Sequence, residues 1–380
     1  MAALHFGRRV GRAVKERIVR RKSSVLQGRL WHDPFMSAAS CAIAERIPFV
    51  DLIVHVTDAR IPLSSQCHLL RDYYQTSSNH IIALNKADLA SRSALQAWMD
   101  YFREMNCISC EVNAHNKDSI RQFLSLIQRQ VGKLRSDQDN KYTATVMLIG
   151  IPNVGKSALA NALHQVGRIR AAEKGKLKHA TVSPEPGETK DIRSYKIASH
   201  PNIYVLDTPA VLSPEVPDVD ILSKLLLTGA IGDNMVEKKE IAQYFLAIHN
   251  SSEQYKKWAK LSSKDDDSFF LNSTAECLTT SGLQMKQKNQ IPTDHTQDRV
   301  VQDVRRTLYE TVTTFNGNIR SEVEMEALIV RQFTALQEAF HVSTECEEDA
   351  HDKVAGKLLN LFRTGRVGHY ILDNLPRNIP

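Results

Sequence analysis

The chain has 380 residues, 42% of them apolar and 24% charged. It is long enough for two or three domains and apolar enough to bury a sizeable core, which excludes a globally disordered chain. No run of 18 apolar residues exists, so no membrane-spanning helix is expected, and six scattered cysteines do not make a disulfide scaffold, which suggests a reducing compartment. The net charge of +6 is uneven: residues 1–30 hold nine Lys/Arg against one acid, so the rest of the chain is slightly acidic.

The first expected element is a helix in this basic leader, because Phe6, Val10, Val14 and Ile18 recur every four residues with basic residues on the other sides. An Arg-rich, acid-poor amphipathic start is the signature of an organellar transit peptide. Arginine dominates and serine is modest, which favours a mitochondrial address, in the matrix or at the inner membrane, over a plastid one. The alternative is a basic arm that stays on the protein and binds RNA phosphates.

Residues 31–230 read as one α/β domain. Five short apolar runs, 51–56, 81–84, 108–112, 145–149 and 203–206, each end in a polar or glycine-rich turn. Runs without clean alternation are strands covered on both faces, and amphipathic stretches such as 93–105 and 118–134 lie between them. The pattern predicts a doubly wound, mainly parallel sheet, with ligands at the carboxyl ends of the strands. From 231 to 380 the β signals stop. Stretches 235–249, 298–340 and 352–363 predict a helical domain, with a polar, loop-like insert at about 262–297.

Gly150-Ile-Pro-Asn-Val-Gly-Lys-Ser157 matches G-x-x-x-x-G-K-[ST] between an expected strand and an expected helix. In such a loop the backbone around Asn153, Val154, Gly155 and Ala158 wraps phosphates, Lys156 supplies a point charge, and the Ser157 hydroxyl ligates Mg2+. Asn85-Lys86-Ala87-Asp88 fits N-K-x-D, whose carboxylate accepts from the N1–H and N2–H2 edge of guanine; adenine offers no such donor pair, so Asp88 specifies GTP over ATP. Asp207-Thr208-Pro209-Ala210 ends the strand after the phosphate loop, and Asp207 would hold Mg2+ through water. Thr189, in Pro186-Gly-Glu-Thr-Lys190, is the candidate switch threonine that reaches the metal and the γ-phosphate, and Asn113-Ala114 sits where a base-contacting loop would lie.

The order of these motifs is unusual. The guanine motif (85–88) and base loop (113–114) precede the phosphate loop (150–157) and the two switches (187–189, 207–210). A sheet can keep its arrangement through such a reconnection because chain termini lie close together. With this order, Trp31, Met36, Asp58-Ala59-Arg60-Ile61-Pro62, Leu84-Asn85-Lys86-Ala87-Asp88-Leu89, Leu206-Asp207-Thr208-Pro209 and Phe362-Arg363-Thr364-Gly365-Arg366-Val367-Gly368, the chain resembles the circularly permuted ribosome-assembly GTPases of the YlqF type, and among them the organellar DAR GTPases. The resemblance implies GTP hydrolysis coupled to maturation of a large ribosomal subunit, with rRNA and ribosomal proteins as partners.

Several positions depart from the family or read blandly. Ala210 stands where a glycine is usual, and Val211 occupies the place of a water-orienting glutamine, so slow intrinsic hydrolysis is expected, helped by a ribosomal element or by K+. Asn153 matches the asparagine associated with K+-dependent GTPases, while its bland role is a turn. The segment Trp31-His32-Asp33-Pro34-Phe35-Met36 displaces the family's histidine. Cys107-x-x-Cys110 has no second pair to complete a zinc site and reads as packing. Arg168, Arg170, Lys174, Lys176 and Lys178 form a basic cluster before the first switch, whereas residues 231–380 are net acidic, leaving only a patch such as Lys357, Arg363 and Arg366 to meet RNA. The rival readings are a nucleotide-gated scaffold, binding rRNA or protein with negligible turnover, and a plastid or cytosolic ribosome-assembly GTPase.

Overall fold

The computed structural model describes residues 2–22, 34–73, 79–134, 143–170, 191–261, 295–343 and 347–376. The chain divides into two compact units. One spans Gly7–Val236 and His369–Pro380; the other spans Met1–Phe6 and Glu237–Gly368. Thr189, Trp31, His32, Lys174, Lys176, Lys178 and most of the expected insert lie outside the described residues.

The first unit is built on a six-stranded sheet, β1 (Leu52–Asp58), β2 (His80–Asn85), β3 (Ile108–Glu111), β4 (Thr143–Ile149), β5 (Arg193–Ser199) and β6 (Asn202–Asp207), in the order β3-β2-β1-β4-β6-β5. The five strands expected from sequence are all present and pair in parallel. Every residue of β1 and β2 is buried, which explains why neither run alternates. The sixth strand, β5, was not among the expected ones. It is an antiparallel edge strand whose first two residues, Arg193 and Ser194, are exposed, so it lacks the apolar run that marked the others.

The first unit also contains residues 7–22 of α1 (Ala2–Lys22), together with α2 (Pro34–Arg46), α3 (Arg92–Glu104), α4 (Lys117–Lys133), α5 (Lys156–Arg170) and α6 (Val219–Thr228). Leu95, Trp98 and Phe102 of α3 pack on Ile82 and Leu84 of β2. Asn116 caps α4 by accepting from the Asp118 and Ser119 amides. The leader stripe Phe6, Val10, Val14 and Ile18 is fully buried. Helix α1 also comes close to α6: a side chain at Gly11 would lie 2.0 Å from the Val219 carbonyl oxygen. The Arg17 guanidinium donates to the Met235 carbonyl.

The second unit contains α7 (Lys238–Ser251), α8 (His295–Thr313), α9 (Glu322–Ala339) and α10 (Glu347–Arg363). The helical stretch expected over 298–340 is two helices separated at 314–321, where Asn316-Gly317-Asn318 supplies a turn. Its core holds Phe245 against Phe362, with ring centroids 4.8 Å apart, and a reciprocal amide pair in which Asn250 and Gln332 each donate to the other at 2.9 Å. His249 stacks on Trp258 at 5.2 Å. Helix α10 ends in a Schellman turn, with the Arg366 amide donating to the Leu361 carbonyl and Gly365 at φ 73°. Gly368 then turns the chain again at φ 115°.

Candidate functional site

The parallel strands all point the same way, so their carboxyl ends form one edge of the sheet. The register sets Asp58 of β1 opposite Asn85 of β2, and Leu148 of β4 opposite Asp207 of β6. The phosphate-loop motif follows β4, the guanine motif begins at the last residue of β2, and the Asn113 loop follows β3. Motifs scattered over 120 residues of sequence therefore meet at one edge because each was written at the end of a strand.

The loop after β4 carries its two glycines for steric reasons. A Cβ at Gly150 would lie 2.4 Å from the Val56 carbonyl oxygen, and Gly155 has φ +96° with its Cβ direction blocked by the Asn85 amide. Helix α5 begins at Lys156, so its first amides face the loop. The Lys156 ammonium donates to the carbonyls of Gly150 and Ile151, both at 3.0 Å. Burial lowers its pKa to about 8, against the pull of Asp207. Ser157 and Ala158 occupy the first turn of α5, half-buried.

Asp207 is fully buried at the end of β6. Burial raises its pKa, while the nearby Ser157 hydroxyl and then Lys156 and Arg193 favour its charged form. Neither carboxylate oxygen has a hydrogen bond of regular geometry. Two buried oxygens beside a serine hydroxyl and a lysine suit a hard divalent cation such as Mg2+, which Ser157 and Asp207 could hold. Thr208 leaves this edge by donating to the Leu148 carbonyl at 2.6 Å. Ala210 is half-buried in the loop that follows. Val211 is buried in a cluster with Ile43, Ile47, Met147 and Ile149, which explains an apolar residue at this position.

The guanine motif is tied directly to the phosphate loop. The Asn85 side-chain amide donates to the Val154 carbonyl at 2.7 Å. Lys86 adopts φ 58°, and a short 3-10 turn, Ala87–Leu89, then presents Asp88 to solvent. The Ala87 amide donates to the Val112 carbonyl, which joins this turn to the Asn113 loop. There Asn113 accepts the His115 amide on its own side chain, and Ala114 lies in the turn between them.

Asp58 and Arg60 acquire roles that the sequence did not assign. Asp58 accepts from Arg60 Nε at 3.0 Å and from Nη2 at 2.7 Å, and lies 3.0 Å from the Lys86 ammonium. Burial alone would raise the Asp58 carboxyl, but Arg60 and then Lys86 hold it well below the usual carboxylate range. Arg60 also reaches the Thr228 carbonyl at the end of α6, 3.2 Å away. The neighbouring Gly229 carbonyl accepts the Asn153 amide at 2.8 Å, which gives the phosphate-loop asparagine a structural task. The advance signals for Asp58 and Arg60 were the motif's place at a strand end and its part in the family resemblance; for Thr228 and Gly229 there was none.

Other candidates separate from this edge. Cys107 immediately precedes β3 and Cys110 lies within it, and burial raises both thiols, Cys110 to about 12. Among the described residues no group of three or more His, Cys, Asp or Glu could hold a metal, and no helix is long and apolar enough to cross a membrane. Arg168 lies in the last turn of α5. In the helical unit the Lys357 ammonium caps α9 by donating to the Phe340 carbonyl at 3.0 Å.

The family described as 50S ribosome-binding GTPase matches residues 145–266. "DAR GTPase 2, mitochondrial" of Arabidopsis thaliana is 50% identical over 367 residues, 97% of this chain and 96% of that protein. "Short integuments 2, mitochondrial" of the same plant is 39% identical, covering 91% and 89%. "Ribosome biogenesis GTPase A" of Priestia megaterium is 29% identical, covering 77% and 98%. With a permuted motif order, a parallel sheet that gathers those motifs at one edge, and near full-length similarity, the chain belongs to the DAR family of circularly permuted ribosome-biogenesis GTPases.

Proposed function

We propose that the protein hydrolyses GTP to GDP and phosphate in mitochondria, and that this cycle drives or checks assembly of the large subunit of the mitochondrial ribosome. The observation that carries the nucleotide part is the Asn85–Val154 bond, which locks a guanine-reading turn to a phosphate loop. The organelle and the assembly role are supported by relatives named as mitochondrial or as ribosome-biogenesis GTPases.

In this reading Asp88 accepts the guanine edge, Lys86 lies along the base, and Asn113 and Ala114 close the base pocket. The backbone from Asn153 to Ala158 wraps the phosphates, and Lys156 leaves its carbonyl partners to meet the β- and γ-phosphate oxygens. Ser157, Thr189 and Asp207 would hold Mg2+, and Ala210 would lie next to the γ-phosphate. The cation, when bound, neutralises charge on the transferring phosphoryl group. Val211 orients no water because it is committed to the core, so turnover depends on help from outside. K+ at Asn153 is one source of that help, and a ribosomal element is the other.

Lys156→Ala is expected to abolish hydrolysis, and Asp88→Asn to lose the preference for GTP over ATP; normal values in either would refute the site. Buried Val211 also favours the second reading, a nucleotide-gated scaffold. Single-turnover hydrolysis in KCl and in NaCl, with and without large subunits, separates the two. Crosslinking in mitochondria followed by sequencing of the bound RNA tests the partner: large-subunit rRNA is expected, and its absence would remove the assembly role.

A further inference from the structure

The chain does not end with the helical unit. After Gly368 the tail rejoins the nucleotide unit, in which it is a short irregular segment with buried Tyr370 and Asp373. Its polar contacts fall on both sides of the guanine turn. The Tyr370 amide donates to the Leu89 carbonyl at 3.3 Å, and the Leu372 amide to the Arg60 carbonyl at 2.7 Å. Between them Ile371 packs on the cluster that contains Ala59, Leu84, Ala90 and Trp98. Asp373 then takes four donors: the Leu63 amide at 2.8 Å, the Ser64 amide at 2.9 Å, the Ser64 hydroxyl at 2.6 Å and the Lys224 ammonium at 2.9 Å.

The two carbonyls held by the tail amides both lead to the guanine turn, one directly and one through Asp58. Leu89 closes the turn that carries Asp88, through its own amide to the Lys86 carbonyl at 2.9 Å. Arg60 holds Asp58, which faces the Lys86 ammonium at 3.0 Å. Asp88 itself is exposed, so its position comes from the backbone that carries it rather than from packing. Recognition of two adjacent donors tolerates displacements of only about 0.5 Å.

We propose that the C-terminal tail is a positioning element of the guanine site: Asp373 anchors it, the Tyr370 amide fixes the turn that carries Lys86 and Asp88, and the Leu372 amide fixes the Arg60 turn that holds Asp58 against Lys86. The proposal rests on the guanine-site reading above. Because the tail follows Gly368, whatever draws on the end of the helical unit also loads these ties, which gives a partner a covalent route to nucleotide release.

The test compares the full chain with Asp373→Ala and with a chain ending at Gly368, using affinities for GDP and IDP, the release rate of a fluorescent GDP, and thermal melting. Ser64→Ala, which removes one hydroxyl donor, serves if either variant fails to fold. IDP lacks the 2-amino group, so the GDP-to-IDP ratio reads the placement of Asp88 and not mere stability. Release is expected to quicken about tenfold, and the ratio to fall by a similar factor. An unchanged ratio overturns the proposal, including the case in which both nucleotides weaken equally as melting falls. Asp88→Asn is the control: if it keeps the ratio, the guanine-site reading itself fails, whereas a loss there with none in the tail variants removes only the tail.

Discussion

At the scale of single residues, the sterically constrained positions give the sharpest expectations. Gly155 combines φ +96° with a blocked Cβ direction, so Gly155→Ala strains the loop by about 1–3 kcal/mol and should weaken nucleotide binding roughly ten- to a hundredfold. Titration with GDP checks this. Val211→Gln, which restores the residue type many GTPases use, should fail to speed hydrolysis. The glutamine amide would enter the cluster of Ile43, Ile47 and Ile149 and cost about 2 kcal/mol, visible in denaturant melting, with the single-turnover rate unchanged or lower. Lys156, Ser157, Asn85 and Asp88 stand out in the sequence because the proposed chemistry needs those residue types at fixed spacing. Asp373 was not, since one aspartate 285 positions beyond Asp88 has no local pattern.

At the scale of elements, period and burial explain what was readable. Strands β1, β2 and β4 announced themselves as apolar runs, and α3 and α4 as amphipathic ones, because each faces a core. Edge strand β5 and helix α6 carry weaker patterns and were missed, although α6 is the element to which Arg60 and Asn153 both reach. The leader shows how one pattern serves two readings. Its stripe is that of a transit peptide, yet here it is buried, with Gly11 against the Val219 backbone. Gly11→Val should therefore loosen α1, seen as faster tryptic cleavage at its arginines. The mature chain is expected to keep residues 2–22, and the N-terminal sequence of protein recovered from mitochondria decides this: cleavage near residue 30 would restore the removable leader.

At the scale of the whole molecule, acid is expected to act through buried imidazoles in both units. Burial pushes His249 down to about 3 and His80 to about 4, and His55, which accepts the Cys67 amide at 3.0 Å, well below its ordinary value. A histidine with a lowered folded pKa binds protons preferentially when unfolded, so stability is intact above about pH 6.5 and falls as pH drops below it, by about 1.4 kcal/mol per pH unit per group. Melting between pH 7 and 5 should show this, and His249→Phe should flatten the acid limb. The sequence by itself determined the fold class, the family and the permuted order of the motifs, because strand runs and phosphate loops are local patterns with local causes. Only the tertiary structure decided what lies behind that site. The Asp58–Lys86 pair, the clamped end of α6 and the returning tail join residues that are far apart in the chain, and such contacts arise when the backbone closes on itself.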